Sequence, residues 1–215
     1  MTRPRILMAD DHSMVLSGLR TLVESEGEVV GSVEDGRSLV VEAQKLRPDI
    51  ILLDISMPLL NGLDAARQLT KLVPESKLIF LTMHASPTYA TEAFKAGASG
   101  YLIKRSAASE LKQAIQAVMC GHHYLTPLIT KDVLAATLNH QGRPTLKRSL
   151  ACLTSRQREV LQLIAEGKGT KEVSALLNIS IKTVEFHKLR IMETLELHST
   201  AELIKFAIAE GLAEL

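Results

Sequence analysis

The chain is defined first by what it lacks. No stretch of its 215 residues approaches the roughly 18 consecutive apolar side chains of a membrane-spanning helix. The apolar segment within the opening MTRPRILMADD is too short for a secretory signal. The expectation is a cytoplasmic protein with no membrane partner. Its two cysteines, Cys120 and Cys152, lie far apart without metal-type spacing, which excludes a disulfide scaffold and a zinc ribbon. There is no internal repeat and no low-complexity tract, which speaks against a solenoid. A formal net charge of +1 supplies no strong overall field and argues neither for nor against a nucleic-acid partner. What remains is ample material for a core: 46% of the residues are apolar, and the length allows two domains.

Residues 50–58 read IILLDISMP. A short aliphatic run bounded by turn signals predicts a strand buried on both faces, as in a parallel sheet covered by helices on either side. Such a strand carries Asp54 to its C-terminal edge, where open α/β sheets bind their ligands. RILMA, EVVGSV, KLIFLT and GYLI read as four further strands, each followed by a helix-period segment. The predicted pattern is therefore a doubly wound domain of five strands and five helices ending near residue 120. Gly97 and Gly121 each follow a helical segment and are expected as left-handed C′ residues. TPLITKDVLAATL reads as one more amphipathic helix with Val133, Leu134 and Leu138 on one side, followed by a connecting segment at about 139–150.

Asp10 and Asp11 follow the first strand and share the edge that carries Asp54. Adjacent strands lie about 4.8 Å apart, so neighbouring placement of these two strands brings three carboxylates together, and that much negative charge requires a cation. Hard oxygen donors suit Mg²⁺. Thr82 ends KLIFLT and Lys104 ends GYLIK, which adds a hydroxyl donor and a cation able to approach a phosphate. Acids, hydroxyl and lysine together point to phosphoryl transfer, with Asp54 as the in-line nucleophile.

Residues 1 to about 120 resemble the receiver domain of bacterial response regulators through Asp10–Asp11, the D-x-x-M-P-x-x-x-G stretch from Asp54 to Gly62, Thr82, and AGASGYLIK ending at Lys104. The resemblance implies an α/β flavodoxin-like (CheY-like) fold with sheet order 2-1-3-4-5. It implies phosphorylation of Asp54 by a sensor histidine kinase, with Mg²⁺ held by Asp11, Asp54 and the Ser56 carbonyl and Asp10 assisting through water. It also implies a switch in which Thr82 moves to the phosphoryl group and Tyr101 turns inward; the residues alone favour a half-buried Tyr101 with no such role. His84 and Ser56 flank the phosphoryl position.

From Leu153 onward no strand pattern appears. Thr154 with Gln157 makes a capping box, Thr170 precedes KEVSALL, and Ser180 precedes IKTVEFHKLRIMETL. A short helix, a brief turn and a longer helix outline a helix-turn-helix, and a fourth helix runs from about 199 to 210. LTSRQREVL, IAEGKGTKEV and ISIKTVEFH resemble the LuxR-type helix-turn-helix, and with the first domain they point to the NarL/FixJ group. The implied architecture is a receiver at 1–121, a linker helix and connecting segment at 122–150, and an all-α four-helix DNA-binding domain at 151–215.

A helical projection of 181–196 puts Val184, Ile191 and Leu195 inward and Lys182, Glu185, Phe186, Leu189, Arg190 and Glu193 outward. Lys182, Thr183, Phe186 and Leu189 are the candidates for base edges, with Lys188 and Arg190 toward phosphates, and Lys168 and Lys171 are further candidate DNA-binding residues. Residues 151–215 carry eight Lys or Arg against nine Asp or Glu, so charge alone does not make this a DNA-binding segment. Phe186 and Leu189 also fit a protein interface, and the last helix fits either a dimer seam or core cover.

The expected function is a transcription factor that binds double-stranded promoter or operator DNA, as a homodimer when Asp54 is phosphorylated, and is not an enzyme acting on other substrates. Two other readings compete with this one. One is a phosphatase forming an aspartyl-phosphate, against which stands Ser56 where that class needs a second aspartate two positions after the first. The other is a receiver working by protein contact without phosphate.

Overall fold

The computed structural model describes residues 3–139 and 149–213; the connecting segment expected near 139–150 lies almost wholly outside them. The chain divides into two compact units. Among the described residues, no helix is long and apolar enough to cross a membrane.

The first unit alternates strand and helix. In order these are β1 (Arg5–Ala9), α1 (Ser13–Val23), β2 (Glu28–Val33), α2 (Gly36–Leu46), β3 (Ile50–Leu53), α3 (Gly62–Leu72), β4 (Lys77–Thr82), α4 (Pro87–Lys95), β5 (Gly100–Ile103), α5 (Ala107–Met119), β6 (Tyr124–Leu125) and α6 (Pro127–Asn139). The strands form one parallel sheet in the order β2-β1-β3-β4-β5-β6. All four residues of β3 are at most 2% exposed, as a strand covered on both faces requires. Side chains alternate between the faces. Ile6, Met8, Ile50, Leu52, Ile79, Leu81 and Leu102 pack with Leu16, Leu19 and Val23 of α1 and Leu111, Ala114 and Ile115 of α5. Leu7, Ile51, Leu53, Phe80 and Tyr101, their neighbours in sequence, are buried on the opposite face.

The helices begin where short polar side chains satisfy their first amides. Asp35 Oδ1 accepts from Arg37 N–H and Ser38 N–H, both at 2.8 Å, and Asn61 Oδ1 accepts from Asp64 N–H at 2.9 Å. Gly97 and Gly121 have φ of 98° and 81°, the left-handed conformation expected of them.

The expected five strands are joined by a sixth. β6 pairs with the outer edge of β5, with Tyr124 N–H donating to Ser99 O and Thr126 N–H to Tyr101 O, each at 3.0 Å. Pairing that edge removes a row of open backbone groups. A strand of two residues shows no alternation from which to predict it. Fully buried Thr126 fastens the edge. Its Oγ1 accepts from Ile103 N–H at 3.2 Å and donates to Glu110 Oε2 at 2.9 Å, and that carboxylate also accepts from the Tyr124 hydroxyl at 3.3 Å. α6 then packs against α4. Its Ile129 side chain is buried, whereas Leu134 is 58% exposed and Val133 half-buried, so these two do not form a buried face. Leu138 lies outside the residues whose side chains are described.

The second unit has a short 3₁₀ turn, Leu150–Cys152, and then α7 (Ser155–Ala165), α8 (Thr170–Leu177), α9 (Ile181–Thr194) and α10 (Thr200–Ala209). Val160, Leu161, Leu163, Val173, Leu177, Val184, Ile191, Leu195, Leu203 and Ala207 form its core. Thr154 and Gln157 close the predicted capping box. Ser180 caps α9, its hydroxyl accepting from Thr183 N–H at 3.1 Å. At α8 the cap differs from expectation. Thr170 is the first helical residue rather than the cap, and Glu172 Oε2 accepts from Gly169 N–H at 2.7 Å instead. Asn178, left-handed at φ 50°, makes the turn between α8 and α9, a conformation asparagine tolerates better than most residues. Arg156 ties the helices together, donating to Leu177 O at 2.6 Å and pairing with Glu159 at 2.9 Å.

Candidate functional site

β1 and β3 are neighbours, with Ala9 opposite Leu53, so the residues that follow each strand, Asp10 and Asp54, emerge together at the C-terminal edge. Both are almost fully buried, at 2% and 4% exposure. Lys104, arriving from the end of β5, places Nζ at 2.6 Å from Asp10 Oδ2 and 2.6 Å from Asp54 Oδ2. One ammonium thus bridges two carboxylates that β1 and β3 bring side by side. Burial raises the pKa of Asp10 above the ordinary carboxylate value, a shift opposed by the hydrogen bonds from Lys104 and from His12 N–H. For Lys104, burial works to lower the pKa, but the hydrogen bonds and charges of Asp10 and Asp54 outweigh it and hold the ammonium above its usual range.

The third acid is placed differently. Asp11 is partly exposed, and its Oδ1 lies 2.7 Å from His12 Nδ1, which is also 3.4 Å from Asp10 Oδ1. Asp10, Asp11 and His12 therefore form a cluster of potential ligand atoms. The sequence reading missed His12, although its position directly after the acidic pair was a visible signal. The acids outnumber the single lysine at this edge, so negative charge remains there. Together with the hard oxygen donors of Asp10, Asp11 and Asp54, that residual charge fits a divalent cation of the Mg²⁺ class.

The remaining candidates ring this centre. Thr82 is fully buried at the end of β4, and its hydroxyl accepts from His84 N–H at 3.3 Å. Ser56 Oγ and His84 Nε2 are 3.1 Å apart, and the His84 ring stacks on Tyr89 at 4.2 Å between centroids. Tyr101 is fully buried, its hydroxyl donating to His84 O at 2.8 Å. Burial, and then the charge of Asp54, raise its pKa. Tyr101 is thus already inward with Asp54 unmodified, so the inward turn expected on phosphorylation is not seen as a separate state here. Gly62 closes the loop: its N–H donates to Ile55 O at 2.8 Å, and its Cα approaches so closely that a Cβ would lie 1.9 Å from the Asp54 carbonyl oxygen. Only glycine fits there.

On the second unit, α9 presents the face that the helical projection predicts. Val184, Ile191 and Leu195 are buried, while Lys182, Glu185, Phe186, Leu189, Arg190 and Glu193 are exposed. Lys171 is exposed, and Lys168 and Lys188 are half-buried. Thr183 is held in the cap, its Oγ1 2.8 Å from Ser180 Oγ, so it is less available to a ligand than expected. Arg190 pairs with Glu193 at 2.9 Å. The Thr170 hydroxyl donates to Glu185 Oε1 at 2.9 Å, an α8–α9 link with no signal in local sequence. In α10, Leu203 and Ala207 are buried in the core, which accords with core cover.

Comparison with known proteins matches both halves. Residues 6–116 match the family "Response regulator receiver domain" and residues 151–207 match "Bacterial regulatory proteins, luxR family". The oxygen regulatory protein NreC of Staphylococcus carnosus is 32% identical over 215 residues, covering 98% of this chain and 99% of that protein. A crystal structure of a LuxR-family two-component response regulator from Aurantimonas sp. SI85-9A1 is 32% identical, with a TM-score of 0.61, over 65% of this chain and 100% of that one. RcsB from Salmonella enterica serovar Typhimurium, solved bound to the promoter P1flhDC in the presence of the phosphomimetic BeF3-, is 26% identical with a TM-score of 0.61, over 99% of this chain and 100% of that one. A buried acidic edge bridged by lysine, followed by a helix-turn-helix and matched in that order along nearly the whole length, identifies the chain as a member of the NarL/FixJ group of response regulators, a receiver domain joined to a LuxR-type DNA-binding domain.

Proposed function

We propose that a sensor histidine kinase phosphorylates Asp54 and that the modification controls dimerisation and binding of promoter DNA. The observation that carries this reading is Lys104 Nζ at 2.6 Å from both Asp10 and Asp54. A cation already seated between a nucleophilic carboxylate and its acidic neighbour is placed to neutralise charge arriving on a phosphoryl oxygen. A carboxylate oxygen of Asp54 bonds to phosphorus as the donor's phosphorus–nitrogen bond breaks, and the departing imidazole takes up a proton. Mg²⁺, when bound by Asp10, Asp11, Asp54 and the Ser56 carbonyl, supplies charge neutralisation for that transfer. The Thr82 hydroxyl then donates to a phosphoryl oxygen, and the space it leaves holds Tyr101 in the inward position that it already occupies beside unmodified Asp54.

The new group shifts the protein only as far as it binds one arrangement better than the other, typically by about 1–3 kcal/mol. RcsB, solved on promoter DNA with a phosphomimetic, supports the same coupling here. In this reading the receiver spans 1–121, the linker helix and connecting segment 122–150, and the DNA-binding domain 151–215. α9 enters the major groove, with Lys182, Thr183, Phe186 and Leu189 toward bases and Lys168, Lys171, Lys188 and Arg190 toward phosphates. The protein works in the cytoplasm.

The test is intact-mass spectrometry after incubation with acetyl phosphate and Mg²⁺. An acid-labile adduct is expected on the wild-type protein and none on Asp54→Asn. An adduct that survives this substitution refutes the assignment of Asp54. Unchanged DNA affinity and oligomeric state on addition of beryllofluoride and Mg²⁺ would instead favour a receiver that works by protein contact alone.

A further inference from the structure

The outward face of α9 has an unusual composition for a surface that meets a polyanion. Phe186 is 58% exposed and Leu189 57% exposed, and they stand three positions apart, on one stripe of the helix. Between them lie His187 and Lys188, both half-buried, and beside them lie Glu185 and Arg190. The Glu185 carboxylate accepts from Thr170 of α8 at 2.9 Å. Arg190 pairs with Glu193 at 2.9 Å; an exposed pair of this kind is weak, so Arg190 remains available to a phosphate. Lys171, Lys182 and Lys188 lie on the same two helices. The middle of the reading face therefore has two apolar tips and one carboxylate, and its cations lie around them.

From this arrangement we infer that Phe186 and Leu189 determine operator specificity by packing against thymine C5-methyl groups in the major groove. The inference rests on the DNA-binding reading of α9 and specifies its substrate. Of the four base-pair edges in the major groove, only those with thymine offer an apolar group, whereas guanine offers two acceptors that call for Arg or Lys. The Glu185 carboxylate, held by Thr170, offers those guanine acceptors no donor. The flanking lysines supply sequence-independent attraction to phosphates, and the half-site core is thymine-rich and guanine-poor on the strand that Phe186 and Leu189 touch. Burying one methyl-sized group corresponds to about a fourfold change in affinity.

The experiment uses the full-length protein. Operator duplexes are selected from a random library, and each thymine of the selected half-site is then replaced singly by deoxyuridine, which removes the C5-methyl and leaves the pairing edge intact. Wild type is expected to lose about three- to fivefold in affinity at one or two positions per half-site and nothing elsewhere. Phe186→Ala and Leu189→Ala should each bring the thymine-to-deoxyuridine ratio to about one at its own position, and Phe186→Leu should restore part of it. Thermal melting of each variant confirms that the fold is retained. A ratio near one at every position in wild type overturns the inference. So does a ratio that survives both alanine variants, which is the outcome expected if this face seats another protein. If no sequence is enriched at all, the DNA-binding reading of α9 fails together with the inference; sequence-specific binding without methyl dependence removes the inference alone.

Discussion

Replacing Gly62 by alanine tests whether the site is as tightly built as its geometry indicates. The added Cβ would lie 1.9 Å from the Asp54 carbonyl oxygen, 2.9 Å from the Asp54 carbonyl carbon and 3.0 Å from Ile55 Cα. Ordinary contact begins at 3.4 Å, so either the backbone after β3 or the start of α3 must retreat by 1.5 Å (3.4 − 1.9). The obstructing atoms are backbone and cannot rotate away. Overpacking of this kind costs about 1–3 kcal/mol, and a clash with main chain belongs at the upper end. Alanine's better helix propensity returns about 1 kcal/mol. The net loss of about 2 kcal/mol corresponds to roughly 8 °C for a domain of this size, at about 4 °C per kcal/mol. Any retreat also moves Asp54 relative to Lys104, and a displacement of about 1 Å at a reacting group slows chemistry by roughly a hundredfold.

The control is Gly18→Ala, because a Cβ there meets nothing within 4 Å on the outer side of α1; the same propensity argument predicts that it stabilises the protein slightly. Circular dichroism melts, with the time course of adduct formation from acetyl phosphate, measure both effects. If Gly62→Ala melted at or above wild type and accepted phosphate at the wild-type rate, the packing argument around Asp54 would be refuted.

Three other substitutions probe separate parts of the structure. Lys104→Met leaves two buried carboxylates without their shared cation and should destabilise the receiver by about 3–5 kcal/mol at neutral pH. Burial raises the Asp10 pKa and loss of Lys104 removes a group that opposes the shift, so the folded state takes up protons more readily than the unfolded chain and the variant's melting temperature should rise as pH falls from neutral toward 5. A flat profile would contradict the charge arrangement. Thr126→Val removes the oxygen that accepts from Ile103 N–H and should cost about 1–3 kcal/mol for the orphaned amide, with faster hydrogen exchange at Ile103; Thr126→Ser should retain most of the stability. His187 is held below its ordinary pKa, by burial first and by Arg156 second. The unfolded state therefore binds more protons below pH 6.5, and the DNA-binding domain should gain stability as pH rises through that window. Chemical denaturation across pH checks this, and His187→Gln should flatten the slope.

The local features of this protein were legible because they are written in short-range pattern. The buried run Ile50–Leu53 declared a central parallel strand, the Thr154–Gln157 capping box marked the start of α7, and the spacing of Val184, Ile191 and Leu195 separated the inner from the outer face of α9. Chain order also indicated that Thr82 ends a strand and that Asp10, Asp54 and Lys104 directly follow strands, so that all four share one edge. Their pairing was not legible. That Lys104 bridges Asp10 and Asp54 while Asp11 turns to His12 depends on how β1, β3 and β5 are set in the sheet and how deeply each side chain is buried. Likewise β6 exists because the edge of β5 needed partners and Thr126 met Glu110, contacts with no periodic signature. Propensity and spacing act over a few residues and can be read along the chain. Charge pairing, edge closure and the close approach at Gly62 act across space, and only the folded arrangement brings those partners together.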